Sequence, residues 1–422
     1  MAEIPVIQIL EKKNYFKQAL VPLPSALPLP PLADSSLRIR TETLCLSTNN
    51  FSYCKVGDLF GWWDVHPLPP SAPSPYTDAA TYGRTNCWGY ARVVDSTFAD
   101  VQKGSYVWGY LPIGTLPLDL EVKAAAEAGG QVVVTEGYRQ KQLAIYNRYA
   151  VYPPGSAVAA EVRQRSDAVA YDCLLRVMHL TAFVMTEVMF PPEAQGADGA
   201  DGFVPPHLAD LAGATVLSFA PGSKVGLAFA MLLRSEGRGG GRPRRVVGVA
   251  SEASVAFVKG TGVYGGEENV VATTEEPLAV LEGFGAPRDG RVVICDFGGR
   301  NGVAWKWARA IKAVFPRTMY VAVGGEVTDP TATATGEGEG GPDPEVMDFA
   351  FAHAGILQDM AMKKFGEGEY FRRLGESWEG MRKTGIKGFR VTWGEGMQAV
   401  KEGWERYTRG EVGSDEGLVF GI

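Results

Sequence analysis

Apolar and polar positions follow two different patterns along the chain, and the change lies near residue 160. Before it, apolar and polar residues alternate in short runs, most clearly over residues 37–46. A period of two is typical of half-buried strands. Residues 88–94, 105–110 and 143–152 show further strand patterns between Pro- and Gly-rich turns. This region is therefore predicted to form a small β-barrel or sandwich.

After residue 160 the pattern predicts strands that alternate with helices. Short, wholly apolar runs followed by helical spacing are typical of a parallel sheet with helices on both faces. A doubly wound α/β fold is therefore predicted. The predicted strands are residues 214–219, 245–251, 269–272, 291–296 and 318–323, and the predicted helices are residues 165–190, 223–234, 252–260 and 301–314.

These patterns divide the chain into two domains. Residues 161–344 are predicted to form the doubly wound domain, and residues 1–160 with the returning segment 345–422 the β-rich domain. Residues 329–344 (DPTATATGEGEGGPDP) contain few apolar residues, which predicts a mobile loop or insertion. Helical spacing returns over residues 345–408, where the run FRVTW is predicted to add a strand.

Composition narrows the class of protein. The 422 residues are 45% hydrophobic and 21% charged, typical of a soluble protein, and the net charge of −7 argues against nucleic-acid binding. The 5 cysteines form no CxxC pair and the 4 histidines are scattered, so we expect reduced thiols and no metal site. Charged residues interrupt both the apolar run 168–190 and the N-terminal segment. We therefore expect neither a membrane span nor a signal peptide, and a cytoplasmic location.

One segment, Thr215–Arg234, has a pattern associated with phosphate binding. A buried strand runs into a small-residue turn and then into a helix, whose free N–H groups and dipole suit a pyrophosphate. Gly222 allows close backbone approach, and Gly226 lets the helix pack on the sheet. The spacing is neither GxGxxG nor a P-loop, because Pro221 intrudes and Lys224 precedes the second glycine. A purely structural turn is an equal alternative.

Two later strand ends add small or polar residues at the same edge of the sheet. Ser251 follows the second strand and, with Lys224, suits the 2′-phosphate of NADPH, although the carboxylate of Glu252 opposes an anion. The segment DFGG (296–299) leaves room for a nicotinamide ribose or makes a tight turn. We interpret Asp296 as the cap of the helix predicted to begin near residue 301.

The β-rich region contributes candidate catalytic residues that lie among aromatic residues. Tyrosine and asparagine donate hydrogen bonds to a carbonyl oxygen that gains charge, so Asn50, Tyr53 and Tyr146 are candidates. For Asn49 and Asn50 the alternative is a left-handed turn after the strand, which asparagine tolerates. No GxSxG motif or Cys–His pair indicates a nucleophile.

Polar or aromatic residues in apolar surroundings are candidate substrate contacts. These are Trp62, Tyr82, Asn86 and Arg176. For the tryptophan the alternative is a place in the core or the pocket wall. Arg176 is expected to pair with Asp172, one helical turn earlier.

The order of these parts resembles the medium-chain dehydrogenase/reductase (MDR) superfamily, and most closely its zinc-free quinone reductase and enoyl reductase branch. The GAxGGVG, VIG[VT]AS and DxVGG motifs of that branch correspond to FAPGSKVG (219–226), VVGVAS (246–251) and DFGG (296–299). The chain is also similar, over about residues 35–420, to an MDR-like family of bacterial and fungal proteins labelled as a domain of unknown function. The matching segments are LSTNNFSY (46–53), WGYARV (88–93), YNRY (146–149) and LLR (174–176).

The resemblance implies a GroES-like β-rich domain beside a Rossmann-type, nucleotide-binding domain. It implies a proton donor at Asn50 or Tyr53, and NADPH as the cofactor. The implied cofactor contacts are Gly222, Ser223, Lys224, Val225 and Gly226 at the phosphates, Ser251 at the 2′-phosphate, Tyr264 near the adenine and Gly298 along the nicotinamide. The zinc ligands of the alcohol dehydrogenases are missing, since Cys45 has no matching His and Cys. Pro221 and Ser223 crowd the turn, so weak or absent cofactor binding is the alternative.

The resulting hypothesis is a zinc-independent, NADPH-dependent reductase that acts on the enone, enoyl or carbonyl group of a small, polyketide-type metabolite. The alternative is a cofactor-independent, non-redox enzyme of secondary-metabolite biosynthesis, such as an isomerase, cyclase or C–C lyase or hydrolase, on a degenerate form of the same fold. A third hypothesis is that the protein binds a ligand without catalysing a reaction. The expected partner is a small molecule, without nucleic acid or membrane. A homodimer through the sheet edge near residues 318–323 is expected from the superfamily.

Overall fold

The computed structural model describes residues 3–192, 204, 206–238, 241–331 and 343–422. The loop predicted over residues 329–344 falls mostly on residues 332–342, which lie outside the described residues.

The first part of the chain is rich in β-strands, as the alternating pattern predicted. Most of its strands join one sheet, in which β3 pairs with both β5 and β7 and so folds the sheet towards a barrel. The strands are β1 (Val6–Glu11), β2 (Asn14–Pro22), β3 (Ser36–Leu46), β4 (Tyr82–Gly83), β5 (Asn86–Ser96), β6 (Tyr106–Pro112), β7 (Leu118–Ala124), β8 (Gln131–Val134) and β9 (Arg148–Tyr152).

The parallel sheet contains six strands in the order β12-β11-β10-β13-β14-β15. Its strands are β10 (Thr215–Phe219), β11 (Arg245–Ala250), β12 (Val270–Ala272), β13 (Val292–Asp296), β14 (Thr318–Ala322) and β15 (Asp348–Phe351). The chain reverses its direction of travel across the sheet between β10 and β13, which is where ligands bind in doubly wound folds. The five strands predicted from the sequence are confirmed.

The sixth strand of this sheet, β15, was not predicted. It begins after residue 344 and pairs in parallel with β14, so the sheet extends past the predicted domain boundary. The expected dimer edge near residues 318–323 is therefore wrong, because β14 has a hydrogen-bonded neighbour on each side. A homodimer itself stays a prediction.

The C-terminal segment returns to the β-rich domain, where β16 (Arg390–Glu395) and β17 (Glu416–Gly421) extend the sheet beside β3. The strand predicted for FRVTW is thus confirmed. A separate small sheet has the order β2-β1-β4.

Helices cover the parallel sheet and join the two domains. The α-helices are α1 (Thr48–Lys55), α2 (Gly57–Phe60), α3 (Ala157–Gln164), α4 (Asp167–Val184), α5 (Pro206–Ala209), α6 (Lys224–Arg234), α7 (Glu252–Thr261), α8 (Pro277–Gly283), α9 (Val303–Lys312), α10 (Ala354–Phe365), α11 (Glu367–Thr384) and α12 (Gly396–Thr408).

Helix α4 is the core helix that the long apolar run predicted. With the π-helical turn that follows it, the stretch Asp167–Met189 has the length and composition of a membrane-crossing helix, but 83% of its most apolar window is buried inside the protein. Its apolar side chains belong to one cluster that also contains residues of both domains, such as Trp88 and Phe229. The two domains therefore share a continuous core.

Candidate active site

The turn between β10 and α6 offers unpaired N–H groups. Ser223 caps α6, and its Oγ accepts from the amide of Gly226 at 3.1 Å. The amides of Lys224 and Val225, the first two of the helix, have no acceptor in the part of the chain that the structure describes. Ala220 adopts a left-handed backbone with φ of 51°, a conformation that costs a non-glycine residue free energy. The predicted strand–turn–helix is thus confirmed, and the first amides of its helix are unpaired.

Both glycines of this turn are tightly packed inside the protein. A Cβ at Gly222 would lie 2.9 Å from Oγ of Ser414, in the loop that precedes β17. A Cβ at Gly226 would lie 3.1 Å from the carbonyl oxygen of Ala220. The C-terminal segment therefore covers the turn closely.

Tyr264 lies beneath the turn rather than beside an open adenine site. Its side chain is buried, and its hydroxyl is 3.2 Å from the carbonyl oxygen of Pro221 and 3.3 Å from that of Gly226. A phenol proton can serve one of these acceptors at a time. Tyr264 is thus placed to hold the shape of the turn.

Lys224 points from the turn towards the β-rich domain. Its ammonium group lies 5.4 Å from the centre of the Phe389 ring. Burial lowers the pKa of Lys224, and the neighbouring Cys45 and Glu416 act in the opposite direction. The thiol of Cys45 donates to the carbonyl oxygen of Cys173 at 2.9 Å, and burial raises its pKa to about 12. The Cys45 thiol is therefore neutral near pH 7.

Ser251 is exposed at the carboxyl end of β11 and begins α7. Its hydroxyl does not cap the helix and lies 3.0 Å from the hydroxyl of Ser254. Glu252 is exposed beside it. Two hydroxyls at an uncapped helix N-terminus form a surface that suits a phosphate.

The segment after β13 forms a tight turn. Gly298 has φ of 113°, and a Cβ there would lie 3.0 Å from the carbonyl oxygen of Gly325. The expectation that Asp296 caps the next helix is wrong, because its Oδ1 accepts from the amides of Gly298 and Gly299 at 3.0 and 2.6 Å, whereas α9 begins later. Oδ1 is thus engaged in the local turn, and Oδ2 accepts from the hydroxyl of Tyr320 at 2.6 Å.

The neighbouring asparagines of the β-rich domain have different roles, and neither forms a left-handed turn, since both lie in α1. Asn50 is buried and structural: its Oδ1 accepts from the amide of Ser47 at 2.7 Å, and its Nδ2 donates to the carbonyl oxygen of Asn86 at 2.7 Å. Asn49 is half-buried, and its Nδ2 donates to the phenol oxygen of Tyr53 at 2.6 Å. Of the two, only Asn49 is placed to act with Tyr53.

Tyr53 is the best-prepared donor of the site. Its phenol oxygen accepts from Nδ2 of Asn49 at 2.6 Å and from Nε1 of Trp88 at 2.8 Å. Both lone pairs are thus used, and the described residues provide no acceptor for the phenol proton. Burial raises the pKa of Tyr53, and the bonds from Trp88 and Asn49 lower it. At neutral pH the group is a protonated, free hydrogen-bond donor.

Aromatic rings surround this phenol. The Tyr53 ring lies 4.8 Å from Trp62, 5.1 Å from Tyr110 and 6.3 Å from Tyr146. Tyr146 is buried, and burial raises the pKa of its phenol well above the ordinary value. On its other side Trp62 stacks on Phe60 at 4.9 Å. The structure thus brings together Tyr53, Tyr146 and Trp62, whose roles in a site stay predictions.

Asn86 belongs to a buried polar layer next to these rings. Its Nδ2 donates to the carbonyl oxygen of Trp62 at 3.1 Å, and its Oδ1 contacts Nδ1 of His66. His66 in turn lies 3.3 Å, Nε2 to Nη1, from Arg139. Asn86 therefore fixes the position of Trp62 through the backbone, and its own amide is fully engaged.

Arg176 and Tyr82 lie elsewhere. Arg176 does not pair with Asp172 as expected: its Nη1 donates to the hydroxyl of Tyr152 at 2.7 Å, and its guanidinium lies 4.2 Å from the centre of the Trp108 ring. The carboxylate of Asp172 is taken by partners distant in sequence, including Arg382 at 3.3 Å. Tyr82 belongs to the small sheet, packed in a separate apolar cluster.

Asn49 and Trp88, which the sequence analysis did not select as site residues, contact the phenol of Tyr53. The spacing of four residues between Asn49 and Tyr53 would have indicated a shared helix face once residues 48–55 were predicted as a helix. The bond from Trp88 to Tyr53 has no sequence signal, because it joins two different elements.

Chemically, this arrangement places a neutral phenol donor among buried aromatic rings. Cys45 is close enough to Tyr53 and to Lys224 to influence the pKa of both. Such a donor stabilises negative charge that develops on a carbonyl oxygen. The described residues contain no group of three or more His, Cys, Asp or Glu side chains that could hold a metal ion.

Residues 44–413 match the model of the family described as "Protein of unknown function (DUF2855)". The chain belongs to this family. No curated protein matches the chain.

Solved reductase structures share the fold over nearly the whole chain. The chain is similar to the CurK enoyl reductase, with 14% identity, a TM-score of 0.55 and 99% of each chain covered. For CurA from Vibrio vulnificus in complex with NADPH the identity is 13% and the TM-score 0.51, over 96% of this chain and 94% of that chain. For Etr1p with NADP and crotonyl-CoA the values are 10% and 0.55, over 100% of both. The predicted fold, a GroES-like β-rich domain with a Rossmann-type domain, is confirmed.

Proposed function

We propose that this member of the DUF2855 family is a zinc-independent, NADPH-dependent reductase of an activated C=C or C=O bond in a small molecule. The observation that carries the proposal is the phenol of Tyr53, which accepts two N–H bonds, from Asn49 at 2.6 Å and Trp88 at 2.8 Å, and keeps its proton free. The similar structures CurK, CurA and Etr1p support it, since their descriptions name an enoyl reductase and complexes with NADPH and NADP.

The residues of the parallel sheet fit a dinucleotide phosphate. The unpaired amides of Lys224 and Val225 and the ammonium group of Lys224 would hold the pyrophosphate. The uncapped start of α7, with the hydroxyls of Ser251 and Ser254, would hold a 2′-phosphate. Bound NADPH supplies a hydride to the substrate.

Tyr53 would act on the oxygen of the substrate. A hydrogen bond from its phenol to the carbonyl oxygen polarises the conjugated system and stabilises the enolate or alkoxide charge that develops there. Asn49 and Trp88 orient the phenol and keep its oxygen from accepting other protons. We do not propose Asn50 as a catalytic residue, because its side-chain Oδ1 and Nδ2 both form hydrogen bonds within the protein.

The rings around Tyr53 favour an apolar, conjugated substrate. Trp62 and Tyr146 are buried, and their ring centres lie 6.0 Å apart. Phe60 stacks on Trp62, and its neighbour in the sequence, Leu59, is exposed. An enone or enoyl group on a polyketide-type metabolite matches this surface. A strongly charged substrate head would lose its hydration there without a partner.

The first experiment is a titration of purified protein with NADPH and NADH, followed by tryptophan fluorescence and melting temperature. We expect NADPH to stabilise the protein at micromolar concentration and NADH to bind at least tenfold more weakly. Lys224→Ala should weaken NADPH binding by about tenfold. The control is Lys259→Ala, in the last turn of α7. No response to either nucleotide would exclude the reductase function.

The close cover of the turn favours a second candidate function. Ser414 packs closely on the turn between β10 and α6, since a Cβ added at Gly222 would lie 2.9 Å from its Oγ. If this cover stays closed, the same phenol would serve a non-redox reaction through an enolate, such as an isomerisation. Conversion of a β,γ-unsaturated ketone to its conjugated isomer by nucleotide-free protein, lost in Tyr53→Phe, would distinguish this function from reduction.

A further inference from the structure

Arg84 is a buried cation in the segment that joins β4 to β5. Its side chain is 4% exposed, and its neighbours Gly83 and Thr85 are buried as well. In the described part of the chain no carboxylate lies at ion-pair distance from it. Its Nε and Nη2 atoms are both shielded from solvent and have no hydrogen-bond partner.

Other buried arginines of this protein have hydrogen-bond partners. Arg139 is also fully buried and also lacks a carboxylate, but it donates to Oδ1 of Asn147 at 3.0 Å and to the carbonyl oxygen of Tyr146 at 2.7 Å. Arg238 likewise donates to the carbonyl oxygen of Phe190 at 2.6 Å. The Nε atoms of Arg238 and Arg291 also lack a partner, but both residues donate to a carbonyl oxygen through another nitrogen, whereas no hydrogen bond of the Arg84 side chain is found among the described residues.

The charge of Arg84 persists at neutral pH. Burial lowers the pKa of Arg84 to about 10, and the one group that acts in the opposite direction is the thiol of Cys87. That thiol is itself buried, which raises its pKa well above the ordinary value, so it carries no negative charge near pH 7. Nothing described around Arg84 neutralises it.

The surroundings of Arg84 are positive or neutral. Burial lowers the pKa of His66, and the charges of Arg139 and Arg84 lower it further, so the imidazole stays neutral between two cations. An isolated buried charge is strongly destabilising unless a partner compensates it. Buried polar groups in native proteins are almost always satisfied, by protein, water or ligand.

We propose that the free Nε–Nη2 side of Arg84 is a binding site for a small oxyanion, a carboxylate or an inorganic oxyanion. These two N–H groups are parallel and coplanar, and this fork matches the two oxygens of one carboxylate or phosphate group. The occupant supplies the negative charge that the neighbouring residues lack. The site does not depend on the proposed reductase function, because it involves neither the nucleotide turn nor the phenol of Tyr53.

The test compares anions at equal ionic strength and neutral pH. The melting temperature of the protein is measured in sodium formate, acetate, phosphate and chloride. Formate or acetate should raise it saturably by about 2 °C or more above chloride. Arg84→Gln should abolish this difference, and Arg84→Lys, which keeps the charge without the fork, should weaken formate binding at least tenfold. The control Arg92→Gln, on the exposed face of β5, should retain it.

Each result decides the proposal. A response to formate and acetate assigns the site to an organic carboxylate, and a response to phosphate alone assigns it to an inorganic oxyanion. Equal melting temperatures of the wild-type protein in all four salts overturn the proposal, and this result needs no variant. An anion response that persists in a folded Arg84→Gln protein also overturns it, because the anion then binds elsewhere.

Discussion

Trp88 donates from its indole Nε1 to the phenol oxygen of Tyr53 at 2.8 Å, although the two residues lie 35 positions apart. The bond joins β5 to α1 across the interior of the β-rich domain. It fixes the phenol among aromatic rings and leaves the phenol proton without a partner in the described structure. The orientation of the proposed catalytic group therefore depends on a strand residue with no catalytic chemistry of its own.

Replacing Tyr53 tests whether its hydroxyl acts in the reaction. Tyr53→Phe should lower turnover at least tenfold, because the developing charge on the substrate oxygen loses its donor. NADPH affinity should stay unchanged, since the nucleotide turn is untouched. The measurement is NADPH oxidation with 3-penten-2-one and 1,4-naphthoquinone, together with nucleotide titration. Tyr76→Phe, in a separate cluster, is the matched control, and equal turnover of the two variants would contradict the role of Tyr53.

Alanine substitutions at Asn49 and Asn50 should have different effects, the first on turnover and the second on the free energy of unfolding. Asn49→Ala removes a bond to Tyr53 and should lower turnover several-fold with little change in unfolding. Asn50→Ala removes the bond from the amide of Ser47, which is one half of the capping box of α1, and a buried bond to Asn86, so it should lower the free energy of unfolding by about 2 kcal/mol. Turnover and urea unfolding of both variants check this. The interpretation is wrong if the two variants exchange these effects.

Replacing Ala220, in the turn between β10 and α6, by glycine or by valine should change the stability of the protein in opposite directions. Ala220 has φ of 51°, which glycine adopts freely and β-branched residues avoid. Ala220→Gly should therefore leave the protein as stable or raise its stability by about 0.5 kcal/mol. Ala220→Val should lower it by about 2 kcal/mol and weaken NADPH binding. Thermal unfolding with and without NADPH measures both, and a stable Ala220→Val protein would argue against this turn geometry.

Asp172 should be among the most sensitive positions of the core. Its carboxylate accepts from Tyr90 at 2.7 Å and from Trp378 at 2.9 Å, and it forms an ion pair with Arg382 at 3.3 Å. Asp172→Asn removes one of the two carboxylates of Arg382, which keeps its pair with Glu161, and weakens the buried bonds from Tyr90 and Trp378, so it should cost about 2 kcal/mol. Asp95→Asn, at an exposed site, is the control in the same urea unfolding series. Similar losses for both variants would refute the importance of this network.

His179 predicts acid sensitivity. Burial lowers its pKa from 6.5 to about 3, so between these values the unfolded chain binds a proton that the folded protein does not. Stability therefore falls as the pH decreases below 6.5, by about 1.4 kcal/mol per pH unit from this residue. Unfolding curves from pH 7 to pH 4 should show a shallower decline for His179→Gln than for the wild-type protein. Parallel curves would show that His179 does not contribute.

Much of the architecture was predictable, because it depends on local periodicity. The five parallel strands from β10 to β14 and the core helix follow from apolar runs whose length and spacing suit one element each. The strand β15 was missed because its sequence, DFAF, is short and has an exposed half, so only pairing with β14 identifies it. The turn at Gly222 was recognised from small residues after a buried strand.

The partners of polar side chains were not predictable in the same way. Asp172 was expected to pair with Arg176, one helical turn away, but it pairs with Arg382, which is 210 positions distant. Asp296 was expected to cap a helix, but its carboxylate accepts hydrogen bonds from the amides of Gly298 and Gly299 in the preceding turn. A local rule identifies possible partners along one element, whereas packing selects among partners from several elements.

The sequence by itself determined most element types and the α/β fold, because periodicity is a local property. It also indicated Tyr53, Tyr146, Trp62 and Lys224 as candidates from their residue chemistry, and their roles stay predictions. Only the tertiary structure decided that Asn49, and not Asn50, serves Tyr53, that Trp88 orients this phenol, and that Arg84 is buried without a partner. Hydrogen-bond satisfaction depends on which atoms lie within about 3 Å, a distance that only the packed chain defines.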